Sequence, residues 1–135
     1  MADISVPKRV LVADDDPVFR EIAATCLRKA GYDARLAAEG AEAMTILLNE
    51  EFDLAIVDLL MPKIDGLRLI ALIRATPQLR DLPILIITSR QDPTVRADGM
   101  QVGANDHLTK PVDWSSLPGR IEALIASCSA KCRAA

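Results

Sequence analysis

Three aspartates, a pair of hydroxyls and a lysine are the residues of this chain best placed to do chemistry. Asp14 and Asp15 follow the apolar run Val10 to Ala13, and Asp58 follows Leu54 to Val57. Thr88 and Ser89 close the run Ile84 to Ser89, and Lys110 follows a shorter run ending at Thr109. If the carboxylates meet without a compensating charge, each like-charge pair costs roughly 3 kcal/mol at about 5 Å and an effective dielectric near 20. Either their pKa values rise or a cation sits among them. With a single histidine and no clustered cysteines, the available ligands are oxygens, which suit a hard ion. Mg²⁺ is such an ion, keeping several waters and using few carboxylates together with phosphate oxygens. The set then reads as a phosphoryl-handling site: Asp58 the nucleophile, the metal neutralising the transferring oxygens, Lys110 a further positive charge and Thr88 a hydrogen-bond donor.

Taken singly, each residue has a structural explanation. Aspartates before a helix cap it and complement its dipole, a threonine after a strand ties down a turn, and a lysine before a proline is a solvated charge. What favours the chemical reading is convergence, and convergence depends on the elements that carry these residues.

Val10 to Ala13 reads as a strand, and a helix follows with Asp16 as N-cap and Pro17 at its first position. Phe19, Ile22, Ala23, Cys26, Leu27 and Ala30 keep the i, i+3, i+4 rhythm up to Gly31. Tyr32 to Ala37 is a second strand, and Ala41 to about Glu50 a second helix. Leu54 to Val57 has no polar face and reads as a strand buried on both sides. Leu67 to Thr76 is the third helix, stopped by Pro77, and Ile84 to Ser89 is another fully apolar strand. A weaker helix starts at Asp92 and Pro93 and ends at Val102, its Gly99 costing about 1 kcal/mol relative to alanine. A short strand around His107 to Thr109 leads to Lys110 and Pro111, and a last helix follows Trp114 or Pro118 and reaches at least Ala126. This fivefold alternation of strand and helix predicts an α/β, doubly wound parallel sheet with helices on both faces. Right-handed crossovers bring all the carboxyl ends to one edge, where ligands of such sheets bind.

The 135 residues suit one domain, and the core must be aliphatic because only four residues are aromatic. A net charge of −3 and scattered Lys and Arg give no phosphate-tracking stripe, so nucleic acid is not an expected partner. No apolar run approaches the roughly 18 residues of a membrane span, and the N-terminus lacks a signal-peptide core. The expectation is therefore a cytoplasmic protein with reduced Cys26, Cys128 and Cys132.

From VLVADDDP through IVDLLMPKIDG and ITS to GANDHLTKP, nearly the whole chain resembles the receiver domains of two-component response regulators, in order and in spacing. The resemblance implies a flavodoxin-like, five-stranded sheet of order 2-1-3-4-5, as in the chemotaxis regulator. It implies one receiver domain over residues 1–135, with its core at about 8–127 and a short tail, either acting alone or cut from a longer protein. By resemblance, Asp58 is the phosphoacceptor and Asp14 and Asp15 are the acidic pair. Asp14, Asp15, Asp58 and the backbone carbonyl of Leu60 hold Mg²⁺, while Thr88 and Lys110 sense the phosphoryl group. The phosphoryl donor is a histidine kinase or phosphotransfer protein, and the chain catalyses only its own phosphorylation and dephosphorylation before binding a downstream target or passing the group on. The bond from Lys110 to Pro111 is expected to be cis.

The chain departs from the family at His107, where Tyr or Phe is usual three residues before the lysine. The resemblance makes Thr88 and His107 the switch pair, with an imidazole that titrates near neutrality giving a weaker or pH-sensitive step. The competing reading is a surface histidine without a role. An aspartyl-nucleophile phosphatase on a similar fold is the alternative function. Haloacid-dehalogenase-like enzymes place a second aspartate two residues after the nucleophile, where this chain has Leu60. A flavin electron carrier conflicts with the acidic loop after the first strand, where phosphate needs backbone donors.

Overall fold

The computed structural model of the protein describes residues 7–61, 63–89 and 93–134, with side chains to residue 127. Five strands, β1 (Arg9–Ala13), β2 (Asp33–Ala37), β3 (Leu54–Val57), β4 (Ile84–Thr88) and β5 (Asp106–Thr109), form one parallel sheet in the order β2-β1-β3-β4-β5. The helices α1 (Pro17–Lys29), α2 (Gly40–Asn49), α3 (Gly66–Ala75), α4 (Pro93–Val102) and α5 (Leu117–Ala134) connect and cover it. Alternation along each strand divides the core in two. Leu11, Ala55 and Ile86 pack with α2, α3 and Val95 and Val102 of α4, whereas Val10, Ile56 and Leu85 pack with α1 and α5. The α/β, doubly wound sheet of order 2-1-3-4-5 with helices on both faces is therefore as the sequence led us to expect.

The element ends follow local chemistry. Asp16 caps α1 by accepting the Val18 N–H at 3.0 Å with Pro17 at the first position, and Gly31 leaves the helix at φ 92°, a conformation cheap only for glycine. Asp65 caps α3 through the Arg68 N–H at 2.9 Å. Pro77 holds Thr76 extended (φ −95°, ψ 115°) and so ends α3 at Ala75, but it then opens a short 3₁₀ turn, Pro77–Leu79, that the sequence reading did not include. The last helix starts at Leu117 and runs on to Ala134. Asp92, expected to begin the fourth helix, lies outside the described residues, as do the side chains of Cys128 and Cys132. Cys26 is a free thiol. No helix among the described residues is long and apolar enough to cross a membrane.

Burial is uneven. β3 and β4 are buried at every position, and α3 buries Gly66, Leu69, Ile70 and Ile73. In α4 only Gly99 is buried, and in β5 only His107. The glycine has a packing reason beyond its low helix propensity: a Cβ there would run into Cδ1 of Ile86, so α4 approaches β4 only because position 99 has no side chain.

Candidate functional site

β1 and β3 pair in register, Ala13 opposite Val57, so the next residue of each, Asp14 and Asp58, emerges side by side at the carboxyl edge. Two backbone bonds extend the ladder by one step: Asp58 N–H donates to the Ala13 carbonyl and Asp14 N–H to the Ala37 carbonyl, both at 3.0 Å. Asp14 is 1% and Asp58 5% exposed, while Asp15 faces solvent. One carboxylate oxygen from each of the three lies within 4.8 Å of the others. Each buried carboxylate is also aimed by the chain that follows it. Asp14 Oδ1 accepts the Asp16 N–H at 2.9 Å, and Asp58 Oδ1 accepts the Leu60 N–H at 3.1 Å. Arg20 Nη1 adds a bond to the Asp14 carbonyl at 2.7 Å.

Lys110 reaches this pair from β5. Its Nζ lies 2.7 Å from Asp14 Oδ2 and 3.3 Å from Asp58 Oδ2. The premise of uncompensated carboxylates is thus corrected: the ammonium already sits between two of them, a contact that a sequence separation of 96 residues hides. Burial nonetheless pushes the Asp14 carboxyl above its ordinary pKa, helped by the charge of Asp58 and opposed by the hydrogen bonds from Lys110 and Asp16. For Lys110 burial disfavours the charged form, but the hydrogen bond to Asp14 and the charges of Asp58 and Asp14 outweigh it and hold the ammonium above the usual lysine value. The peptide from Lys110 to Pro111 is cis.

Thr88 ends β4 with no exposed surface, two residues past Ile86, the partner of Val57, which sets it on the strand beside the Asp58 loop. Its carbonyl accepts the Lys110 N–H at 2.9 Å. Ser89 is exposed. Leu60 lies in the loop after Asp58 with 42% of its surface exposed. This loop is closed by α3, whose first residue donates from Gly66 N–H to the Leu59 carbonyl at 3.2 Å. A Cβ at Gly66 would sit 2.6 Å from the Leu59 Cα and closer still to the Asp58 carbonyl, so glycine lets the helix seat against the backbone that carries Asp58.

Oxygen donors of the acidic cluster fit a hard divalent cation: all three side chains are carboxylates, and such an ion would offset both the burial that chiefly raises the Asp14 pKa and the smaller repulsion from Asp58. His107 is not the surface histidine of the second sequence reading. It is buried, only 7% exposed, and its Nε2 has no hydrogen-bond partner among the described residues. Burial and the charge of Arg96 lower its pKa against the pull of Asp106, so the imidazole is neutral at neutral pH.

A five-stranded sheet of this order, with an acid cluster and an ordered lysine at its carboxyl edge, defines a class: phosphoacceptor domains built like the chemotaxis regulator. The sequence profile of the response regulator receiver domain matches residues 10–122, and the chain belongs to that family. It is 38% identical over 120 residues to the response regulator MprA of Mycobacterium sp. (strain KMS), covering 89% of this chain and 51% of the relative. The chain thus spans about half the length of the curated relatives it matches. Among solved structures, it superposes on a response regulator receiver protein of Pseudomonas putida with a TM-score of 0.83 at 34% identity, over 89% of this chain and 99% of the other. The chemotaxis protein CheY4 of Vibrio cholerae gives 0.84 at 30% identity, over 88% and 99%.

Proposed function

We propose that Asp58 takes a phosphoryl group from a phosphohistidine of a histidine kinase or phosphotransfer protein. A carboxylate oxygen of Asp58 attacks phosphorus, the phosphorus–nitrogen bond breaks and the imidazole leaves with its electron pair, taking up a proton. The product is an acyl phosphate, and attack of water on phosphorus later releases inorganic phosphate and restores the carboxylate. The observation that supports this best is the Lys110 ammonium held 2.7 Å from Asp14 and 3.3 Å from Asp58, because it puts fixed positive charge where phosphoryl oxygens gather. Thr88, buried at the end of β4, donates its hydroxyl to the same oxygens.

Asp14, Asp15, Asp58 and the Leu60 carbonyl would hold Mg²⁺, which neutralises phosphoryl charge when bound. In this reading the protein turns over no separate substrate, acts in the cytoplasm as one receiver domain, and signals to a protein partner or relays the group onward. Thr88 and His107 form the switch: Thr88 moves toward the phosphoryl group, and the buried imidazole follows or holds the vacated space, altering the α4–β5 surface.

Acetyl phosphate supplies the test without any cognate kinase. With Mg²⁺ the wild-type protein gains one phosphoryl group by intact-mass spectrometry, and Asp58→Asn gains none. Stoichiometric phosphorylation of Asp58→Asn would overturn the assignment.

A further inference from the structure

The two carboxylates are not the only groups that hold Lys110. Its Nζ lies over the Phe19 ring, 4.1 Å from the centroid, and the Phe19 ring packs against Trp114 at 5.3 Å with a 45° tilt. Two of the four aromatic residues in the chain are thus arranged in series behind one ammonium, Phe19 facing the charge and Trp114 bracing Phe19. We propose that Phe19, braced by Trp114, is a positioning residue for phosphoryl transfer, holding the Lys110 ammonium over the gap between Asp14 and Asp58. The inference rests on the reading of Asp58 as phosphoacceptor.

The local structure explains why the ring is there. Asp16 and Pro17 set the first turn of α1, and that turn leaves the β1 edge directly after Asp14, so the segment that aims the carboxylate also delivers the aromatic face. Arg20, the next residue, donates to the Asp14 carbonyl at 2.7 Å and pins the turn. Phe19 is 7% exposed. Trp114 lies four residues beyond Lys110 in the loop before α5, and its carbonyl accepts the Cys26 thiol at 3.4 Å, so the aromatic pair ties α1 to the loop that carries the lysine. A lysine is a point charge on a flexible four-carbon stem. When a phosphoryl group joins Asp58 the ammonium must transfer its hydrogen bond from the Asp58 oxygen to a phosphoryl oxygen. An aromatic face attracts the cation more strongly in a partly desolvated site than in water, and it does so without competing for the N–H donors.

Acetyl-phosphate labelling rates decide the matter in a double-mutant cycle. Phe19→Leu keeps an apolar side chain and removes the ring; labelling slows about 3- to 10-fold and Phe19→Tyr restores it. In a Lys110→Ala background Phe19→Leu changes the rate by less than about 2-fold, since the partner is gone. A purely structural role would instead slow both backgrounds alike, in step with the loss of thermal stability, and that result overturns the proposal, as does an unchanged rate in Phe19→Leu alone. A second readout needs no phosphorylation. The ¹⁵N signal of the Lys110 ammonium is protected from solvent exchange in wild type and Phe19→Tyr and lost in Phe19→Leu. Equal protection in all three contradicts the positioning role, whereas failure of the wild type to label overturns the reading of Asp58 and with it phosphoryl transfer as the purpose of the Phe19 contact, even where protection shows that the ring holds the ammonium.

Discussion

The half of the sheet that carries Asp58 and the half that meets α4 and β5 are built to different standards. β3 is buried at all four positions, α3 buries Gly66, Leu69, Ile70 and Ile73, and Gly66 lets that helix rest on the backbone around Asp58. On the other side α4 buries only Gly99, β5 buries only His107, and the Nε2 of that histidine has no hydrogen-bond partner among the described residues. The proposed phosphoacceptor role asks Asp58 to meet a metal, a lysine and a phosphorus atom, and such a carboxylate needs a support with no slack. A surface that reports the reaction needs the opposite, a few contacts that a small change in free energy can rearrange. Lys110 belongs to both halves, since it leaves β5 yet pairs with Asp14 and Asp58.

Mutations test this contrast. The largest effect is expected at Ile70, which has no exposed surface; Ile70→Ala should cost about 2–5 kcal/mol in denaturant unfolding. An intermediate effect is expected at His107. Its folded pKa is depressed by burial and by Arg96, against the pull of Asp106, and Asp106 is itself paired to Arg120 at 2.6 Å. The unfolded chain therefore takes up the proton first as pH falls below the ordinary value of 6.5. Stability is lost from there down through the folded pKa and is constant below it. Wild type should lose stability relative to His107→Phe as pH falls from neutrality through the folded pKa, which lies below 6.5; a constant difference would show that His107 is not held neutral by burial. The smallest effect is expected at Met100 on α4, 42% exposed, where alanine should change stability by less than about 0.5 kcal/mol. A loss at Met100 equal to that at Ile70 would erase the contrast.

Much of this was legible in the chain because its signals are local. Apolar runs ended by Asp14, Asp58, Thr88 and Lys110 marked the strands, and the parallel alternation marked the shared edge, within a residue or two of the observed bounds. What escaped was long-range. Lys110 was read as a charge awaiting phosphate, and only the fold shows it already paired with Asp14 and Asp58. Phe19 read as one more apolar residue in the rhythm of α1, because nothing in periodicity distinguishes a ring facing core from a ring facing an ammonium. α4 lies close over β4 only because position 99 is glycine, and a helix-propensity scale registers that glycine only as a weakness. Gly66 is similar, since its close approach to the Asp58 and Leu59 backbone is visible only in the fold.

The central claim is that phosphorylation at Asp58 leaves the β3–α3 half in place and rearranges the α4–β5 half. Hydrogen exchange measured with and without acetyl phosphate and Mg²⁺ tests it most directly. The account predicts altered protection across residues 93–109, unchanged protection across residues 66–75, and neither change in Asp58→Asn. Altered protection confined to residues 66–75, or the same response in Asp58→Asn as in wild type, would contradict it.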